Sequence, residues 1–463
     1  MLSLTDMTPM EFQHLYWRAG FGIQPNIYAS TSKKREDVVS KLFEASKVVS
    51  PLQIDLSYLD KIHPNDIRRN PGLAREVIEK NKKKIISLNY ASINRLMYPK
   101  ELLRERMTLF WMNHFVCRDH NPKYVQQFNN TIRYFALGDF RAFVKAISKE
   151  AAMLRYLDGK LNRKHKPNEN FSRELMELFT LGEGHYSEKN IKEAARAFTG
   201  YNHNFNGEFL FREFQHDNTF KSFFGETGNF SGDDIIDIIL KNQECARFIS
   251  EKIYRYFVNP VPNKTHIEAM TSVFFKDYNI ASLMRFVFMS DWFYDANNIG
   301  SKIKSPMDLL VGITNTVPIK FEREKDLMVI QKILGQMLLN PPNVGGWKGD
   351  RGWIDANTIM VRLKLPSLLL NNAIISLKEQ GDFNDNFRHK YFKRNLHKLP
   401  FKTLPDWDEF LQKYDNVATK DLHDYILQGK LNNGTANYLE KLSKKSKQDY
   451  CIQIMSLPEY QMC

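Results

Sequence analysis

The chain has 463 residues and a mass of 54.4 kDa, with 43% hydrophobic and 26% charged residues. That length and apolar content exclude a disordered or collagen-like protein, and a core this size needs no metal or disulfide to complete it. Lys and Arg outnumber Asp and Glu by 66 to 53, a net charge of +13, which favours anionic partners without naming one.

Thr8-Pro9-Met10-Glu11 has the form of a capping box with Pro at the first helical position. Phe12, Leu15, Tyr16 and Ala19 follow at helical spacing, and Gly20 closes the turn. The region Met1–Gly22 carries Asp6, Glu11 and Arg18 rather than an apolar run, so as written it is no signal peptide. No stretch approaches the roughly 18 apolar residues of a membrane span, and a soluble chain is expected. Helical periodicity then covers 34–47, 71–99, 101–116, 122–137 and 140–157. A basic break at Lys160–Pro167 precedes a helix from about Asn168 to Leu181, ended by Gly182, and Ser187 caps the next.

Asn206-Gly207, between aromatic-rich runs, is the best hairpin signal. Helical patterns resume over 233–240, 244–257, 267–275, 281–289, 306–314, 326–339 and 356–370. The expected fold is mainly α, a multi-helical globular array with a small β-hairpin near residues 203–214. A helical core is expected over 1–370, in lobes of about 1–159 and 160–370, with a Lys-rich helical extension over 371–463. Cys117, Cys245, Cys451 and Cys463 are far apart, which argues against a disulfide framework or a cysteine zinc site.

Several motifs are more specific. On an α-helix, Asn170, Glu174 and Glu177 share a face, with Phe171, Leu175, Leu178 and Phe179 as the apolar stripe. Two carboxylates one turn apart suit a divalent cation or acid–base work. The competing reading is an ion-pair lattice in which Arg173 and Arg196 clamp Glu174 and Glu177 and fix helix packing. His114 reads either as a hydrogen-bonded core residue or as a general base. His185 is a candidate to complete a site with Glu174, Glu177 and Glu188, and His216-Asp217 is a candidate oriented base. Asn168, Asn170, Arg173 and Arg196 are candidate substrate-binding residues.

The glycine-rich segment Asn343–Trp353 carries Trp347 and Trp353, which either stack on a sugar or anchor a rigid loop. Basic runs at Lys80–Lys84, Lys160–Lys166 and Lys441–Lys447 suit an acidic polysaccharide, but no nucleic-acid module accompanies them. HExxH, GxSxG and phosphate-binding glycine motifs are absent.

Five stretches, in order, carry a family resemblance: His14–Gly22, Arg106–Phe115, Pro167–Gly182, Tyr186–Tyr201 and Pro341–Trp347. Together they resemble the bacterial family catalogued as domain of unknown function 1800, over roughly Phe12 to Leu370. The resemblance implies no chemistry. It does imply frequent export and a companion from a second uncharacterised family, domain of unknown function 1501, which resembles alkaline phosphatases and sulfatases. The missing export signal is a departure from that pattern and leaves a cytoplasmic location open. The functional expectation is metal-assisted or acid–base chemistry on an anionic or glycan-like substrate. Its alternative is a non-catalytic envelope or assembly protein in which the same Glu, Arg and His residues form a structural polar core.

Overall fold

Side-chain caps start most of the long helices of this chain. Asn70 Oδ1 accepts from the Gly72 and Leu73 N–H groups and opens the 27-residue helix Pro71–Met97. Ser187, Ser231, Ser305 and Asp355 form reciprocal capping boxes at the helices Glu188–Ala197, Gly232–Lys241, Pro306–Thr316 and Ala356–Leu370. The computed structural model describes residues 6–22, 27–28, 31–371, 401–429 and 431–463. Residues 372–400 of the expected extension lie outside these. Among the described residues helices dominate, and the strands form three two-stranded antiparallel sheets.

The chain divides into two compact units, both discontinuous in sequence. One combines Met1–Val38, Asp291–Met337 and Lys348–Cys463. Its helix Pro9–Ala19 has the expected Thr8/Glu11 capping box and ends at Gly20. The buried His14 Nε2 meets the Phe293 carbonyl at 3.1 Å, and Arg18 donates to the Asn298 carbonyl and the Ser301 hydroxyl. The ammonium of Lys304 lies 3.9 Å from the Trp17 ring centre and 3.6 Å from that of Tyr460. It donates to the Tyr460 carbonyl at 2.7 Å, and complete burial pulls its pKa down to about 7. Gly312 is a glycine because a Cβ there would meet the Trp17 indole at 2.5 Å. A short sheet pairs Ile319–Phe321 with Thr403–Pro405, a pairing no sequence pattern signalled.

The second unit combines Val39–Ser290 with Leu338–Trp347. Its core is aromatic: Phe115 packs on Phe143 at 4.8 Å and on Phe179 at 5.4 Å, and Trp111 lies 5.4 Å from Phe143. A buried ion lattice links two of its helices. Glu105, in Leu102–His114, takes two bonds of 2.7 and 3.0 Å from the Arg133 guanidinium of Pro122–Phe135, and Arg95 lies 3.5 Å away. The expected hairpin is present, pairing Tyr201–His203 with Phe209–Phe211 around Gly207 at φ +86°. A second hairpin, Lys221–Phe223 with Glu226–Gly228, turns at Phe224-Gly225, both at positive φ.

Two expected helices are interrupted. The 140–157 pattern breaks at Glu150, whose extended backbone separates Phe140–Lys149 from Ala151–Tyr156. The 168–181 pattern is α-helical only over Asn170–Glu174, and Leu175–Thr180 is a π-helix. The Leu181 and Gly182 N–H groups both reach back to the Met176 carbonyl before Gly182 turns at φ +83°.

Candidate functional site

Three of the motif stretches are tied together inside the second unit by named bonds. Asn113 Oδ1 accepts the Trp347 N–H at 2.8 Å, and Asn113 Nδ2 donates to the Trp347 carbonyl at 3.2 Å. His114 Nε2 meets the Phe179 carbonyl, inside the π-helix, at 3.0 Å. A carbonyl only accepts, so Nε2 carries the proton and the neutral ring leaves Nδ1 as an acceptor. The Lys252 ammonium faces that nitrogen at 3.3 Å and donates to the Leu178 carbonyl at 2.8 Å. Burial and the Lys252 charge hold His114 well below the usual imidazole range. Burial also pulls Lys252 down to about 8. Leu178 and Phe179 lie in the last turn of this helix, whose carbonyls have no intrahelical partner, and Lys252 and His114 supply replacements.

The π-helix also changes what the acidic pair can do. α-Helical spacing placed Asn170, Glu174 and Glu177 on one face, but the wider turn begins directly after Glu174. Glu177 accepts a 2.8 Å hydrogen bond from the Tyr186 hydroxyl, and the phenol is pushed up by burial and by that carboxylate. Glu174 is half-buried and, among the described residues, has neither an ion pair nor a hydrogen bond through its side chain. Desolvation first, then the charge of Glu177, raises its pKa, against a smaller opposing pull from Arg173. The Tyr156 phenol, raised chiefly by burial, feels the charges of both Arg118 and Glu174. The exposed Arg118 in turn donates to Asn340 Oδ1 at 3.4 Å, at the start of the Pro341–Trp347 stretch.

The arginine clamps expected on Glu174 and Glu177 bind elsewhere. Arg173 holds Glu188 through two bonds of 2.9 and 3.0 Å and Glu169 at 3.2 Å. Arg196 holds Glu193 and Asp217, so Asp217 orients that guanidinium and not His216. His216 instead bonds the Thr199 carbonyl through Nδ1 at 2.8 Å. His185 is half-exposed and pairs with Glu244 at 3.3 Å, leaving Tyr186 as the neighbour that reaches Glu177. Asn168 Oδ1 caps the Asn170 N–H, and Asn170 Nδ2 reaches Asp158 at 3.5 Å. Trp347 is 7% exposed against the Leu102–His114 helix. Trp353, 8% exposed, belongs to the other unit.

Among the described residues no three His, Cys, Asp or Glu side chains are gathered as metal ligands. A cation at the acidic pair would therefore take two protein carboxylates at most, from Glu174 and Glu177. Sequence reasoning missed Lys252, Tyr186, Tyr156 and Arg118. The first could not have been found, because a lysine in an amphipathic helix carries no mark of burial. Tyr186 lay one residue from the histidine chosen in its place.

A family model described as "Protein of unknown function (DUF1800)" matches residues 14–462, nearly the whole chain. No curated protein and no solved structure matches the chain.

Proposed function

Since the chain belongs to the DUF1800 family of proteins of unknown function, its chemistry has to be read from its own residues, and we propose acid–base catalysis on an anionic, glycan-like substrate. Glu174 is the proton donor and Glu177 the proton acceptor. One observation carries this reading. The two arginines expected to clamp the acidic pair are committed to Glu169, Glu188, Glu193 and Asp217, and among the described residues neither Glu174 nor Glu177 has an ion pair. A purely structural polar core would use those cations, as Glu105 and Arg133 do elsewhere in the same unit.

The division of roles follows from the surroundings. Among the described residues Glu174 has no hydrogen-bond donor, and its burial and the charge of Glu177 raise its pKa, so it keeps its proton to higher pH and can deliver it from its carboxyl oxygen to a leaving group. Glu177 receives the Tyr186 hydroxyl, which fixes its orientation for taking a proton from water. The exposed Arg118 would meet a negative group on the substrate. Partners of the same chemistry, an acidic polysaccharide or a companion protein of the domain of unknown function 1501 family, accord with the net charge of +13. Among the described residues no helix is long and apolar enough to cross a membrane.

The test is incubation with a panel of uronate and sulfated oligosaccharides, with product read by mass spectrometry. Glu174→Gln and Glu177→Gln should each lower turnover by about 10²–10⁴-fold while melting like the parent chain. If no panel member is turned over and Glu174→Gln instead loses about 3–5 kcal/mol of stability, the residues form a structural core and the catalytic reading fails.

A further inference from the structure

Two of the three basic runs are occupied at home. Lys80, Lys82 and Lys84 pair with Glu76, Glu79 and Asp55, all within 3.4 Å. Lys444 donates to the Leu439 and Glu440 carbonyls, and Lys447 to that of Tyr414. The run at 160–166 differs in that its four cationic side chains, Lys160, Arg163, Lys164 and Lys166, have neither a carboxylate nor a carbonyl partner among the described residues.

This run is also held in shape. Arg163 and Lys166 exchange backbone hydrogen bonds of 3.4 and 2.8 Å across a tight turn, and the Lys164 N–H donates to the Gln215 carbonyl at 2.8 Å. The turn is thereby fixed beside the short helix Glu213–Gln215. An open groove of about 830 Å³ lies there, lined by Arg163, Lys164, His165 and Lys166 with Leu161 and Phe214, and by no carboxylate. The apolar members are turned to water: Leu161 is 50% exposed and Phe214 70%. Phe220, on the same connection, is 74% exposed, and its backbone is held by Arg196 at 3.1 Å.

Unpaired cations alone would make a solvated face; exposed apolar side chains among them give the face a direction. A sugar or a nucleobase stacks on a flat ring, and Phe214 would serve, but Leu161 has no ring face to offer. Both side chains are suited to burial at the headgroup–acyl boundary of a bilayer, and four unneutralised cations beside them are suited to anionic headgroups. Glu213 is exposed next to Phe214 and opposes this attraction, but it is outnumbered four to one.

We infer that the face formed by the 160–168 turn and the 213–220 connection docks on an anionic lipid surface, with headgroup phosphates against Arg163–Lys166 and the Phe214 and Leu161 side chains in the interface. This surface is separate from the acid–base reading of Glu174 and Glu177 and does not depend on it.

The experiment is co-sedimentation of the full chain with vesicles of phosphatidylcholine alone or mixed with phosphatidylglycerol, at about 0.1 M salt, where the Debye length is near 10 Å. The protein should sediment with the anionic vesicles only. Lys164→Gln and Lys166→Gln should each weaken the partition by about fivefold. Phe214→Ser should weaken it without changing the charge, and all three variants should melt as the parent does. Equal sedimentation with both vesicle types, or with neither, overturns the proposal. So does undiminished binding by Phe214→Ser together with retention on heparin or on a single-stranded oligonucleotide, which would make the face a general polyanion site.

Discussion

Asn113 and Trp347, 234 positions apart, exchange two hydrogen bonds: the Trp347 N–H donates to Asn113 Oδ1 and Asn113 Nδ2 donates to the Trp347 carbonyl. One amide side chain thus imitates a strand partner and fixes the glycine-rich loop on the Leu102–His114 helix. Gly346 is part of the fit. It has φ +77°, and a Cβ there would lie 2.3 Å from Asn113 Oδ1.

Asn113→Ala should therefore cost about 2–4 kcal/mol, because it strands a backbone N–H and carbonyl at a largely buried residue. Gly346→Ala should cost a comparable amount through strain and clash. The double variant should lose less than the sum, since removing Asn113 relieves the clash. Urea melts of the three variants give the coupling directly, and strict additivity would show that Gly346 is constrained by its backbone alone.

Glu105 and Glu174 should respond in opposite ways to loss of charge. Glu105→Ala leaves Arg133 buried without its bidentate partner and should cost about 3–5 kcal/mol. Glu174→Gln replaces a half-buried carboxyl that makes no ion pair or side-chain hydrogen bond among the described residues, and stability should stay within about 0.5 kcal/mol of the parent or rise. Thermal melts at neutral pH separate the two.

Glu150 gives a pH signature. Desolvation raises its carboxyl from an ordinary value to about 7, with the Thr131 hydroxyl bond opposing only weakly. A folded-state pKa above the unfolded value means the folded chain holds the proton longer. This contribution to stability is complete below about 4.5 and is lost as pH rises through about 7, by up to about 3 kcal/mol. Glu150→Gln, which cannot ionise, should melt like the parent near pH 4 and higher than it near pH 8. A constant offset across that range would place the ionisation elsewhere.

Lys252→Met should loosen the π-turn locally. It removes the donor to the Leu178 carbonyl and the charge facing His114. Amide exchange over 175–182 should accelerate by about 5–30-fold, from the loss of roughly 1–2 kcal/mol of local protection, while the Phe115–Phe143 core exchanges as before. The imidazole of His114 should also titrate at higher pH in this variant, because a repelling charge has gone.

The helices were legible because their caps and apolar spacing are local. Thr8-Pro9-Met10-Glu11 and Ser187 specify their helix starts within four residues of sequence. The hairpin at Gly207 was legible for the same reason. The break at Glu150 and the π-helix after Glu174 were not, since both keep a helix-like apolar pattern and are set by tertiary partners such as Thr131, Lys252 and His114. The same holds for the candidate site. Its carboxylates could be picked from a helical face, but which acid each arginine would choose depends on Glu188 and Asp217 arriving from other segments. The pairing of Ile319–Phe321 with Thr403–Pro405 joins segments more than eighty residues apart and leaves no periodic trace in either.

The Lys304 ammonium between the Trp17 and Tyr460 rings has a consequence for the order of events during synthesis. Trp17 and Tyr460 are separated by some 440 positions, so the two rings leave the ribosome far apart in time. At about 5–20 residues per second, the indole waits about 20–90 seconds for the ring that completes its enclosure. Meanwhile the continuous stretch Val39–Ser290 has emerged and can begin to collapse by itself. The Pro9–Ala19 helix, whose Trp17 is buried in the finished fold, is thus a segment a nascent-chain chaperone could hold over that interval.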